Sequence, residues 1–277
     1  CHQLVTKMRP DEANEIPVEA TSLPLSLPAH VRAVALEYAY VGVRLSKHLN
    51  QYAGFPQPQP LDVADVALDP SHAAELLRAE WGLSDRPVHS MMRLLETAGV
   101  RVFSLGQGQA EVSTFSFMWE GVPYVFLQTG RDAVAQRFSL ASELGHLAMH
   151  AIDTEPVGTL RRIEEAKDFG RAFLMLPCAL YAHGSTWTSH DVINASVMYG
   201  APTGELLCHL YALGVISLHQ KTEVAADIKG DRPSCPVERS EHLQRIRLHA
   251  LREAASKAGI NVATAFEYLR DLTIRSA

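Results

Sequence analysis

Apolar residues recur at helical spacing over residues 29–50, where Val31, Ala35, Leu36, Tyr38, Ala39, Val43 and Leu45 predict an amphipathic helix. Ahead of it, residues 1–28 are polar and acidic, then punctuated by Pro24 and Pro28, the pattern of a linker. Behind it, Phe55-Pro56-Gln57-Pro58-Gln59-Pro60 favours a stiff extended connector and marks a domain boundary. From Asp69 the pattern sharpens. Asp69-Pro70-Ser71 starts a helix that runs to about Trp81. Pro87 opens a second, carrying Met91, Leu94 and Leu95 and ending at Gly99.

Strand signals follow. Residues 100–105 read as a short strand. Residues 111–119 and 122–128 read as two more, with Glu120-Gly121 as a tight hairpin between them. Asp132 is the N-cap of a helix through about His150. Further helices are expected at 160–175, 189–199, 202–213, 238–257 and 261–273. The sum is an α+β fold, a small antiparallel sheet packed with helices and followed by a helical tail.

The segment Phe138-Ser139-Leu140-Ala141-Ser142-Glu143-Leu144-Gly145-His146 carries the most chemistry. In a HExxH helix, two histidines four positions apart share one face and hold zinc. The glutamate between them orients and deprotonates the zinc-bound water. Here Glu143 and His146 stand where that motif has its glutamate and second histidine, and Ser142 stands where it has the first histidine.

The flanking residues extend the pattern. Arg137-Phe138-Ser139-Leu140-Ala141-x-Glu143-Leu144-Gly145-His146-Leu147-x-x-His150 and the downstream block Ala166-x-x-Phe169-Gly170-x-x-Phe173-Leu174-Met175-x-Pro177 resemble the ImmA/IrrE family of metallopeptidase-like domains. Upstream, Leu76-Leu77-Arg78-x-x-Trp81-Gly82-Leu83 and Leu94-Leu95-Glu96-x-x-Gly99-Val100 also fit that family's helix-helix-strand approach. The resemblance spans about residues 70–220 and implies a zincin-like fold. It implies Glu143 as general base and His146 as a zinc ligand. The first zinc histidine falls on Ser142, a poor ligand. The third ligand, an acidic residue on the downstream helix, falls on Ile163, with Glu164 and Glu165 beside it. Neighbouring helical residues point about 100° apart, so Glu164 or Glu165 reaches the site only if the helix is rotated or shifted, and Glu165 is the acidic candidate ligand.

Losing an imidazole from a three-ligand site weakens zinc binding greatly, so the resemblance favours a retained fold with a dead site. On that reading no cofactor is expected, and Ser142, His150 and Glu164 line a former substrate groove. The alternative is an active zinc endopeptidase that cleaves a repressor. A rebuilt site is a third reading: Glu143, His146 and His150 lie on one helical stripe and could chelate a metal. Against it, His150 reads as a helix-end histidine helped by the helix dipole.

Composition bounds the rest. The chain has 277 residues, 47% of them hydrophobic, and a net charge of −6, which excludes a disordered chain and argues against a protein that coats nucleic acid. Cys1, Cys178, Cys208 and Cys235 form no CxxC pair, as expected of reduced intracellular thiols. No stretch approaches the roughly 18–20 apolar residues of a membrane span, and the first twenty residues lack a signal peptide's apolar core. The expectation is a cytoplasmic protein with no membrane partner. Gly106-Gln107-Gly108 reads as a simple turn. His183, Trp187 and His190 read as loop surface. In the tail, His242, Arg245, His249 and Arg252 form a stripe read as a solvated face.

The chain begins Cys1-His2-Gln3. In the resembled family such domains often follow an Xre-type helix-turn-helix in phage, mobile-element and toxin–antitoxin settings. The expectation is therefore a transcriptional regulator whose DNA-binding module precedes Cys1, with a protein partner or small ligand held in the groove. A homodimer stays open. The expected division is 1–60 for the linker and first helix, 61–220 for the peptidase-like domain and 221–277 for a helical extension.

Overall fold

Polar side chains set most of the helix starts. The computed structural model describes residues 21–61, 63, 69–83, 85–105, 111–150, 156–228, 239–240 and 243–273, with the side chains of 53, 245 and 270–273 excepted. Helix α1 spans Ala29–Ala53. Asp69 caps α2 (Pro70–Glu80) by accepting the His72 N–H, and Ser90 caps α3 (Met91–Thr97) by accepting that of Arg93. Asp132 caps α4 (Ala133–Met149) through the Ala135 N–H, and Thr159 caps α5 (Leu160–Leu174) through that of Arg162. After α6 (Pro177–His183), capping boxes start α7 (Ser189–Tyr199) at Thr188 and α9 (Leu218–Asp227) at Ser217, with α8 (Thr203–Ala212) between them. The chain then forms a 3-10 turn at Leu243–Arg245, α10 (Leu248–Ala258) and α11 (Val262–Thr273).

Three strands make one sheet: β1 (Arg101–Ser104), β2 (Phe115–Trp119) and β3 (Val122–Leu127), in the order β1-β3-β2. The expected hairpin is present. Glu120 and Gly121 both have positive φ, and β2 pairs antiparallel with β3. The sheet as a whole is mixed, because β1 runs parallel to β3. A parallel neighbour comes from a non-local connection, which alternation within a strand does not reveal.

The pleat sorts the sheet's two faces. Phe103, Phe115, Phe117, Tyr124 and Phe126 stack on one face, with Phe115 and Phe126 ring centroids 5.1 Å apart. Helix α1 approaches that face, where the Tyr124 hydroxyl bonds Ser46, and Tyr268 of α11 meets Phe103 edge-on. Ser116 points the other way, to α4. Helix α5 packs on α4 and α2 packs on α5. One continuous cluster of buried hydrophobic residues runs from Leu45 in α1 through Phe126, Leu144 and Phe173 to Leu251 and Leu269 in the tail.

The α+β class is therefore observed, and most helices lie close to their expected bounds. Three features differ. Helices α6 and α9 stand where sequence patterning predicts none. The first tail helix starts at Leu248 rather than 238. Within residues 21–28, read as linker, Thr21, Ser22 and Leu23 are buried. The connector after α1 is pinned as well: Arg101 Nη2 donates to Pro56 O, and the Gln59 N–H donates to Ala98 O. The Gly106–Gly108 turn, Cys1, Cys235, His242 and the Arg245 side chain lie outside the described residues. No described helix is long and apolar enough to cross a membrane.

Candidate functional site

Helices α4 and α5, packed on each other, both contribute to the wall of a cavity of about 450 Å³. Its lining includes Ser142, Glu143 and His146 from α4 and Ile163 and Lys167 from α5. It also includes Ser22, Thr114, Arg131 and Glu205. The three positions carried over from the zinc motif and the position of its third ligand thus meet in one place. The side chains at two of them are not metal donors there. The Ser142 hydroxyl donates to Phe138 O at 3.0 Å, and a Cβ on Gly170 of α5 would sit 3.0 Å from the Ser142 hydroxyl oxygen. Ile163 supplies a hydrocarbon surface.

Glu143 is held by two serines. The hydroxyls of Ser22 and Ser116 each donate to its Oε2 at 2.7 Å. Burial pushes the Glu143 carboxyl up to about 7, against the two hydroxyls, which favour the charged form. Sequence reasoning missed both serines. Ser116 lies in a recognised strand, and its place is decided by the pleat. Ser22 sits in Ser22-Leu23-Pro24-Leu25-Ser26-Leu27, whose period-two alternation is the signal that the linker reading passed over.

His146, in the cavity wall, and His150, behind it, form a second group. Their Nδ1 atoms are 3.2 Å apart, and His150 Nε2 lies 3.2 Å from Glu165 Oε2. Arg161 Nη1 donates to the other oxygen of Glu165 at 2.8 Å. The tautomers that satisfy both contacts have His150 Nε2–H donating to Glu165 and His146 Nδ1–H donating to His150. That leaves Nε2 of His146 as an acceptor. Burial lowers the His146 imidazole to about 3, with His150 and Arg162 acting in the same direction. Burial and Arg162 also lower His150, and Glu165 opposes them. Both rings are therefore neutral at physiological pH.

Glu164 falls outside the groove in which it was expected. It is exposed and pairs with Lys167 at 2.7 Å, because one helical step turns it away from Ile163. His150 is buried but is not part of the cavity wall. It is the C-cap residue of α4, but burial and Arg162 disfavour its charged form, so the expected help from the helix dipole does not decide its state. Glu165, the other acidic candidate, is engaged by His150 and Arg161. His183 packs on Trp187 with ring centroids 4.1 Å apart, and neither is part of this lining.

Residues 95–205 match the family model described as the IrrE N-terminal-like domain, Peptidase_M78. That stretch is a domain of the ImmA/IrrE family. It takes in α3's second half, the sheet, and helices α4 to α7. No curated protein and no solved structure matches the chain.

The ImmA/IrrE fold is metallopeptidase-like, so zinc is the implied metal. The donors do not fit it. His146 is one good ligand. The hydroxyl of Ser142 is engaged with the backbone, Ile163 has no donor atom, and Glu165 is bound to His150. Among the described residues, no group of three or more His, Cys, Asp or Glu side chains is placed to hold a metal ion. What the arrangement offers is a polar groove. Hydroxyls from Ser22, Thr114 and Ser142 face it, with Arg131 and Lys167 as cations and Glu205 as an anion.

Proposed function

We propose that the ImmA/IrrE-type domain of this protein is a degenerate, inactive metallopeptidase-like domain whose groove binds a protein partner or ligand. It does so as the sensory or partner-binding part of a transcriptional regulator. The observation that carries this reading is the state of Glu143. A general base needs a metal-bound water beside it. Here the same carboxylate oxygen takes two serine hydroxyls, and two of the three ligand positions around it hold Ser142 and Ile163. The fold and the groove are kept while the donors for chemistry are not. The regulatory setting follows from the family resemblance.

The cavity's size and lining support the binding role. A space of about 450 Å³ lies in the range of ligand pockets, and its mixed charges and hydroxyls suit a polar ligand or the side chains of a peptide.

Metal analysis of the purified full chain tests the reading. The expected result is zinc far below one per chain and no effect of chelator on stability. One zinc per chain, lost on His146→Ala, would restore the zinc endopeptidase with Glu143 as its base.

A further inference from the structure

Strand β2 is an edge strand, and on the side away from β3 it meets the segment Thr21–Leu25. The Ser22 N–H donates to Ser116 O at 2.9 Å, and the Ser116 N–H donates back to Ser22 Oγ at 2.7 Å. On its other side, the segment meets the loop that leads into α5, where the Leu25 N–H donates to Gly158 O at 3.0 Å. That approach is as close as the chain permits: a Cβ on Gly158 would lie 1.8 Å from Leu23 O. Leu23 is fully buried, and Ser22 and Pro24 form part of the wall of the cavity that holds Ser142, Glu143 and His146.

Main-chain bonds to a sheet edge, with alternate side chains seated in pockets, are how a protein takes up an extended peptide. Ser22 sends its side chain to Glu143, and the next residue, Leu23, sends its own into the core. Towards α1, the hold on the edge ends at Leu23. Pro24 has no N–H, so a regular ladder cannot continue past Leu23. Beyond it, Arg32 Nη2 donates to both Leu25 O and Leu27 O, which ties the segment's far end to α1. Residues 21–24 can therefore leave the edge while Leu25–Leu27 stay fixed as a pivot.

We propose that Thr21–Pro24 is a built-in plug of the groove, and that an external extended segment binds along β2 by displacing it. The segment that fits carries a small hydroxyl residue over Glu143 followed by an aliphatic residue, the pattern of Ser22-Leu23. This deepens the partner-binding reading and rests on it. The plug also keeps the groove closed to chance peptides, since a competitor must match contacts that are covalently tethered at high effective concentration.

Amide hydrogen exchange on the full chain tests displacement, and peptide binding tests the receptor. The Ser22 and Ser116 amides exchange together, at least about ten-fold faster than that of Val125 in β3, because the plug opens without the sheet unfolding. A labelled peptide copying residues 18–24 binds Leu23→Asp, whose charge ejects the plug from its buried position, at least about ten-fold tighter than the wild type, a gap of about 1.4 kcal/mol. If Leu23→Asp does not fold, Ser22→Pro loosens the plug by removing the N–H that Ser22 gives to Ser116 O. Exchange of Ser116 at the Val125 rate overturns the plug, whatever the groove binds. Rapid Ser116 exchange with no peptide binding to the wild type or the folded variant overturns the peptide receptor.

Discussion

The hydroxyl of Ser22 lies 2.7 Å from Oε2 of Glu143, 121 positions further along the chain. Ser116 reaches the same oxygen from β2, so the buried carboxyl is solvated by protein hydroxyls. Both hydroxyls stabilise the charged form. Ser22→Ala or Ser116→Ala should move the Glu143 pKa further above about 7 and cost about 1–3 kcal/mol, the usual loss for a hydrogen bond to a buried charged group. A carboxyl NMR titration with denaturant melts reads both effects. A Glu143 pKa unchanged in both variants would mean that the hydroxyls do not solvate it.

Glu143 should also shape stability against pH. Its folded pKa is raised from 4.5 to about 7, so the folded state holds the proton more tightly than the unfolded state. That stability is fully present below 4.5, declines as pH rises towards 7, and is gone above it. Glu143→Gln removes the dependence. From about pH 5 to about pH 9, the variant should gain about 2–3 kcal/mol on the wild type. Urea melts at the two ends check it, and a constant difference would place the carboxyl in contact with water.

His146 has the opposite sign. Its folded pKa is lowered from 6.5 to about 3, so the unfolded state binds the proton first. Its stabilisation is complete above 6.5 and is lost as pH falls towards 3. Nitrogen NMR of the ring should show His146 neutral at about pH 5 in the folded protein, with charging only on acid unfolding. A ring that charges near 6.5 without unfolding would contradict its burial.

The zinc motif's geometry predicts what would restore a site. Ser142, His146 and Ile163 line one cavity, so Ser142→His with Ile163→Glu should bind zinc at one per chain. Ser142→His alone should bind it much more weakly, because the third donor is still missing. Calorimetric zinc titration separates the two. Equal binding by both variants would mean that another residue supplies the third ligand.

Local chemistry made much of this fold legible. Asp132 announces α4, the Glu120-Gly121 pair announces the hairpin, and the SELGH segment places Ser142, Glu143 and His146 on one stretch of helix. The alignment of Ile163 with the missing ligand was also readable, and the cavity contains both. The rest depends on contacts between distant segments. The parallel seat of β1 is fixed by a crossover. The bond between Ser22 and Glu143 joins the start of the chain to its middle, and nothing near Ser22 in sequence names its partner. Helix α9 was detectable, since Ser217 and Gln220 form a capping box, but its weakly apolar face gave little periodicity to support it.

The central claim is that Glu143 belongs to a serine-lined binding groove and not to a metal centre. Carbon-13 NMR of the labelled Glu143 carboxyl, recorded with and without added zinc, tests it most directly. The predicted result is a carboxyl that titrates near 7 and does not respond to one equivalent of zinc. A stoichiometric zinc-induced shift of that signal, abolished by His146→Ala, would contradict the account.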